Sequence, residues 1–441
     1  MNAQDSDRKD AIASQQPCSH ASTQQQLAAV GITSQTNEKP SANSSRSSLT
    51  PQPKWMTLEL EERGWRRIVQ NFTPSWFAVN MATGMVCLVL HAIPYKHRVI
   101  TVIYTVLFVI NVILFAIISF TSLLRYVMYP ATWGLMLRHP VQSLFLGCIP
   151  MGLTTIINMF IFVCIQEAGW GPWANKLAWV LWWIDVVMAI ACACGLPFLM
   201  TYVHPTSLST MTAAWLLPAA TPIVTSANGA TVASILSNPQ HALWTIIVSY
   251  VLWGIGLPMA LLTLVIYFHR LAMHKLPPRE VIVSVFLPLG PLGQGGFSIM
   301  NLGKMALEVF PKTGTLHPMA GEILYVSAFF TAIVLWGFGI VWAFFAVASI
   351  SRSKFPFNMG WWGFTFPTGV FVLSTLQMGE ELPSAFFQVL GTVTGVAVII
   401  LWFLVAIVTI RRAIAGDVFF APCLQKVDKA NAPGANGSAN V

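Results

Sequence analysis

The chain has 441 residues, of which 55% are hydrophobic and only 9% charged. Soluble domains carry about 25% charged residues, so a soluble globular protein is excluded and a chain built for lipid is indicated. The formal net charge of +8 gathers beside apolar stretches, which points to membrane topology and not to nucleic acid.

In chain order, residues 1–53 are rich in Ser, Gln, Asn and Ala and lack the apolar core of a signal peptide, so they read as a disordered cytoplasmic tail. Residues 54–71 mix Trp55, Leu58, Leu60, Trp65, Ile68 and Val69 with Glu61, Glu62, Arg63, Arg66 and Arg67. That mixture predicts an amphipathic segment lying on the inner leaflet. Ten apolar spans follow within a transporter domain of residues 72–412, at 73–94, 99–123, 140–166, 176–202, 211–236, 241–268, 281–307, 322–349, 358–378 and 385–411. Each suffices to cross a hydrocarbon core roughly 30 Å thick. Short connections make sequence neighbours antiparallel hairpins. Residues 413–441 are polar and predict a disordered cytoplasmic tail.

Prolines mark the odd-numbered spans. Pro74, Pro150, Pro218, Pro288 and Pro367 are separated by 76, 68, 70 and 79 residues, about one helical hairpin each. A proline inside a membrane helix frees a backbone carbonyl, tolerated only against protein or a watery cavity. The chain therefore reads as five hairpins, each pairing a kinked helix with a straighter partner, with the kinked helices around a central pore.

Polarity follows the same alternation. Candidate pore-lining residues are Asn80, Thr83 and Gly84 in the first span; Pro150, Thr154 and Asn158 in the third; and Pro218, Thr221 and Thr225 in the fifth. The seventh adds Pro291, Gln294 and Ser298, and the ninth Pro367, Thr368 and Ser374. Such residues also serve helix packing, but their recurrence in all five odd spans favours a narrow wet pore. No Lys or Arg lies deep in an odd span, Lys304 standing near the outer end of the seventh. Rings of carboxylates, the usual mark of a cation pore, are missing as well. Hydroxyl and amide dipoles and helix N-termini favour a small anion.

Loop charge sets the orientation. With the N-terminus inside, the cytoplasmic loops and tails hold 19 Lys and Arg against 5 on the opposite side, which predicts both termini in the cytoplasm. Asp185, the one acid deep in a span, follows Trp182 and Trp183 on an even helix. It reads either as a proton carrier or as a structural acid. The Gly290–Gly296 run lacks the Gly-Lys-Ser/Thr ending of a phosphate loop, the seven cysteines show no metal or disulfide spacing, and the histidines do not cluster. No cofactor or metal is expected. An enzyme would need a convergent set of catalytic groups, so none is expected either.

Four segments carry a resemblance: Asn71–Phe77, Pro150–Asn158, Leu289–Phe297 and Gly360–Gly369, with Trp182-Trp183-Ile184-Asp185 as a fifth trace. Over about residues 70–412 the chain resembles the superfamily of bacterial tellurite-resistance proteins, plant slow anion channels and fungal malic acid permeases. It is most similar to the fungal sulfite efflux pumps. The resemblance implies an all-α, ten-helix protein with five kinked helices around the pore. It also implies a gating aromatic before the ninth-span kink, at Phe366, and a homotrimer with one pore per protomer. The expected function is voltage-driven sulfite efflux across the plasma membrane. The alternative is a proton-coupled malate or C4-dicarboxylate permease, with Asp185 as the proton carrier.

Overall fold

A computed structural model describes residues 64–352 and 354–424. The expected tail 1–53, most of the expected interfacial segment and residues 425–441 lie outside the described residues. Regular structure is entirely helical among the described residues. Its α-helices are α1 (Gly64–Gln70), α2 (Phe77–Ala92), α3 (Arg98–Met128), α4 (Ala131–Leu137), α5 (Cys148–Phe160) and α6 (Pro172–Tyr202). They continue as α7 (Leu217–Ile235), α8 (Pro239–His274), α9 (Leu289–Thr313), α10 (Ala320–Ser351), α11 (Thr365–Glu381) and α12 (Ala385–Ala415).

Eight helical stretches are long and apolar enough to cross a membrane: Pro74–Ala92, Arg98–Met128, Ser143–Glu167, Pro172–Tyr202, Pro239–His274, Arg279–Thr313, Ala320–Ser351 and Ala385–Ala415. The chain is thus a multi-pass membrane protein. Helices α7 and α11 stand outside that set of eight. α7 interleaves Thr221, Thr225, Ser226 and Asn228, all buried against protein, so it needs no lipid-grade hydropathy.

The prolines act differently from the expected mid-span break. Pro150, Pro218, Pro291 and Pro367 fall in the first turns of α5, α7, α9 and α11, and Pro288 is the residue before α9. Pro74 opens the 3₁₀ turn Pro74–Trp76 that leads into α2. First-turn N–H groups have no intrahelical acceptor, so proline costs nothing there. Each of these α-helices follows a 3₁₀ stretch: Pro74–Trp76, Ser143–Gly147, Ala213–Leu216, Arg279–Phe286 and Met359–Gly363. The interruption is a change of winding near the start of each odd span.

Burial separates two classes of helix. The Pro74–Ala92 and Arg279–Thr313 stretches are 89% and 83% buried, whereas Arg98–Met128 and Ala385–Ala415 are 22% buried. α2 packs on α5, α5 on α7, α7 on α9, α9 on α11, and α11 back on α2. These five inner helices close a ring. Outside it, α3, α6, α8, α10 and α12 each pack on the inner helix before them and on the next one round.

Contacts tie both ends of the α7 and α11 regions, each taken with the 3₁₀ turns before it, to their outer neighbours. Asn175 of α6 donates to the Ile235 carbonyl at the end of α7 (2.9 Å), beside Trp179, which donates to Thr245 Oγ1 near the start of α8 (3.0 Å). At the other end, Arg270 of α8 donates to the Ser209 carbonyl between α6 and α7 (3.3 Å). Gln388 at the start of α12 donates to the Gly379 carbonyl (3.1 Å), while Trp362, just before α11, donates to Thr409 Oγ1 near the end of α12 (3.2 Å).

Of the expected disordered C-terminal tail, residues 413–424 are ordered and packed. Helix α12 runs to Ala415, and Ala421, Cys423 and Leu424 are buried. Ala421 donates its N–H to Asn71 Oδ1 (3.1 Å), and Phe419 stacks on Trp76 at 5.2 Å. Buried Arg125 of α3 donates to the Phe72 carbonyl (2.9 Å) and to Cys423 Sγ (3.6 Å). These contacts, invisible to local composition, fasten residues 416–424 to the entrance of α2.

Close approach of α2 and α5 depends on two glycines. A Cβ on Gly84 would lie 2.0 Å from Thr155 Oγ1, and one on Gly152 would lie 2.1 Å from Asn80 Oδ1. Both obstacles belong to short side chains with little room to retreat. Gly84→Val is therefore expected to destabilise the bundle by about 1–3 kcal/mol or more, read as a lowered thermal unfolding midpoint in detergent. An unchanged midpoint would show that α2 and α5 can separate freely.

Candidate functional site

A cavity of about 670 Å³ lies inside the ring. All five inner helices line it: α2 with Met85, Leu88 and His91; α5 with Thr154, Thr155 and Asn158; α7 with Val224, Ala230, Thr231 and Ser234. α9 contributes Gln294, Phe297, Asn301, Lys304, Met305 and Glu308, and α11 contributes Phe366, Leu373, Leu376, Gln377 and Glu380. Ala92 at the end of α2, Pro94 and Lys96 after it, Gln388 of α12, and Phe162 and Gln166 of the π-wound stretch Ile161–Glu167 complete the wall.

Its depth follows from helix geometry. Phe366 to Glu380 on α11 and Gln294 to Glu308 on α9 are equal intervals, each roughly 21 Å at about 1.5 Å per residue. The lining thus runs from the first turn of α11 to the C-terminal ends of the inner helices. Phe366 is buried and stands at the N-terminal limit of the α11 lining.

Charge is confined to the opposite end. Lys304 forms ion pairs with Glu381 (3.2 Å) and Glu380 (3.5 Å). Glu381 also accepts from Tyr325 (2.5 Å) and Gln377 (2.8 Å), so the cluster ties α9, α10 and α11 together. His91 stacks on Phe162 with ring centres 4.1 Å apart, and Lys96 donates to the His91 carbonyl. Toward Phe366 the polar lining is uncharged: Thr154, Thr155, Asn158 and Gln294.

Of the predicted lining residues, the cavity wall includes Thr154, Asn158 and Gln294, together with Phe366. The others are placed elsewhere. Asn80 donates to Asn111 Oδ1 of α3 (2.8 Å), and Thr83 donates to the Val79 carbonyl while accepting from Trp402 (3.1 Å). Gly84 lies in the α2–α5 contact, and Thr221 donates to the Leu217 carbonyl (2.8 Å). Ser298 pairs with Ser226 (2.9 Å), Thr368 donates to the Phe364 carbonyl (2.6 Å), and Ser374 is buried. Pro150, Pro218, Pro291 and Pro367 occupy helix first turns.

Asp185 is fully buried on α6 and reaches inward between two inner helices. Its Oδ2 accepts from Thr154 of α5 (2.6 Å) and from Thr225 of α7 (2.9 Å). Neighbouring Trp182 donates to the Thr225 carbonyl (3.0 Å).

Sequence reasoning missed His91, Lys96, Gln166, Ser234, Glu308, Glu380 and Gln388, and took Lys304 as a loop-side charge. Helical phase could have found several. Thr154, Asn158, Phe162 and Gln166 recur every four residues, and Gln294, Phe297, Asn301, Lys304 and Glu308 every three or four. Among the described residues no group of three or more His, Cys, Asp or Glu side chains could hold a metal ion.

Residues 71–410 match the family model described as a voltage-dependent anion channel. The chain belongs to that family. It is 48% identical over 351 residues to a sulfite efflux pump of Arthroderma benhamiae, covering 80% of this chain and 93% of the relative. A sulfite efflux pump of Arthroderma otae is 49% identical over the same shares. The malic acid transport protein of Schizosaccharomyces pombe is 25% identical, with 80% of this chain and 81% of the relative covered. This member of the voltage-dependent anion channel family is accordingly a transmembrane transporter.

Cavity exposure can be read chemically. A polar thiol reagent is expected to modify Asn301→Cys and Gln377→Cys rapidly from one face of the membrane, and Thr221→Cys slowly from either. Equal rates at all three positions would contradict the one-sided cavity.

Proposed function

We propose that the protein exports sulfite across the plasma membrane, and that the cavity is the outward vestibule of its pore. What carries the reading is one cavity lined by all five inner helices, with neutral polar groups toward Phe366 and charge held at the far end. The sulfite efflux pumps at 48% and 49% identity supply the passenger. α7 and α11 are taken as membrane spans too, since each, with the 3₁₀ turns before it, meets outer helices at both ends. That makes ten spans in five hairpins, with both termini cytoplasmic, as the loop charge favours.

An inside-negative potential drives each unit of negative charge outward by about 2.3 kcal/mol per 100 mV. Efflux on this reading needs no ATP. Weak neutral donors suit a passenger that must leave as readily as it enters. Phe366 acts as the gate, its ring displacing water where the vestibule narrows. The assembly is a homotrimer with a pore in each protomer.

Purified protein in liposomes is expected to move sulfite when a potential is imposed, without nucleotide. Absence of sulfite movement under that potential would end this reading. Phe366→Ala is expected to raise basal flux several-fold in the same assay, and flux equal to that of the unaltered protein would remove Phe366 from the gate.

A further inference from the structure

Away from the vestibule, near the C-terminal end of α8, polar groups without partners gather in the protein interior. Tyr267 and Arg270 lie one turn apart on α8, Ser284 lies on the 3₁₀ stretch Arg279–Phe286 that leads into α9, and Trp342 lies on α10. Tyr267 and Trp342 stack with ring centres 5.8 Å apart, and Arg270 and Ser284 are polar neighbours of Tyr267. Yet the Tyr267 hydroxyl, the Ser284 hydroxyl, Arg270 Nε and Trp342 Nε1 are all buried and complete no hydrogen bond. Tyr267, Arg270 and Trp342 are each more than nine-tenths buried, and none of the four residues lines the vestibule.

All four groups can donate, and the guanidinium and indole nitrogens can do nothing else. What the cluster lacks is an acceptor. Arg270 narrows the choice further. It donates from Nη1 to the Lys275 carbonyl (2.5 Å) and from Nη2 to the Ser209 carbonyl (3.3 Å). Those bonds orient the guanidinium but leave its charge without a counter-charge, since no carboxylate among the described residues pairs with it. The nearest acid in sequence, Glu280, is exposed. Water would bring an acceptor and no charge, and a buried cation left unpaired is costly. A phosphate-type oxyanion brings both, and matches the donor fork of an arginine.

We infer that Arg270, Tyr267 and Ser284, beside Trp342, form a second oxyanion site, separate from the vestibule, which takes a phosphate group as the free ion or on a lipid. The donor atoms are shielded from solvent, so entry requires the Arg279–Phe286 stretch to shift, and a bound phosphate pins that stretch. Phe286 at its end meets Phe364 edge to ring at 4.9 Å, two residues before Phe366. Occupancy of the site thus bears on the entrance of α11.

Thermal unfolding of the purified full chain tests this without any transport assay, so the outcome is independent of the sulfite reading. In detergent stripped of lipid, millimolar inorganic phosphate is expected to raise the midpoint by about 2 °C or more over chloride at equal ionic strength. Such a rise identifies the free ion as a ligand. A rise confined to micelles containing phosphatidic acid, with diacylglycerol as the phosphate-free control, identifies the lipid headgroup. Either rise supports the site, and a midpoint unmoved in both arms overturns it. Tyr267→Phe and Ser284→Ala each remove one unpartnered hydroxyl and spare the carbonyl bonds of Arg270. Together they are expected to lose most of the phosphate-dependent rise. A full rise in the double variant places the ligand elsewhere and overturns the inference. Should the double variant give no unfolding transition, Ser284→Ala alone decides by the same criterion.

Discussion

Hydrocarbon solvates neither hydroxyls nor amides, and a helix such as α7, with Thr221, Thr225, Ser226 and Asn228 buried along its length, cannot face lipid on any side. It must be wrapped by protein or by water. The arrangement of the rest follows from that. The outer helices, apolar and mostly exposed, supply the wrapping, and each does so for two inner helices at once. Some polar side chains of the inner helices, Thr154, Asn158 and Gln294 among them, line the cavity, and others bond between helices.

Ring closure then becomes a matter of small residues. Gly84 and Gly152 let α2 and α5 touch, and Gly293 lies so close to α11 that a Cβ would meet the Phe371 backbone at 2.7 Å. Close backbones leave a narrow interior, which is why a 670 Å³ cavity can be lined by five helices at once. Without a hydrophobic drive between helices in lipid, such packing and the buried hydrogen bonds of Asn80, Asn111 and Asp185 carry much of the association.

The helical class, the alternation of polar and apolar spans and the membership of an anion channel family were legible in the chain. Periodic proline and polar residue types recur in the odd spans because one physical role recurs there. Which polar residue faces the cavity was less legible. Thr225 and Thr154 look alike in sequence, yet both give their hydroxyl hydrogens to Asp185 and only Thr154 reaches the cavity. Asn80 is diverted by Asn111, a residue of an outer helix that is mostly apolar in composition. Lys304 reads as a loop charge until Glu380 and Glu381, more than seventy positions away, are brought beside it. Proline position was misleading for a simpler reason: an apolar run does not announce where its α-helical winding starts.

One consequence concerns the segment after α12. The stacking of Trp76 on Phe419 and the bond from Ala421 to Asn71 join it to the entrance of α2. The ring of inner helices is therefore closed twice over, by the packing of α11 on α2 and by this clasp at the entrance of α2.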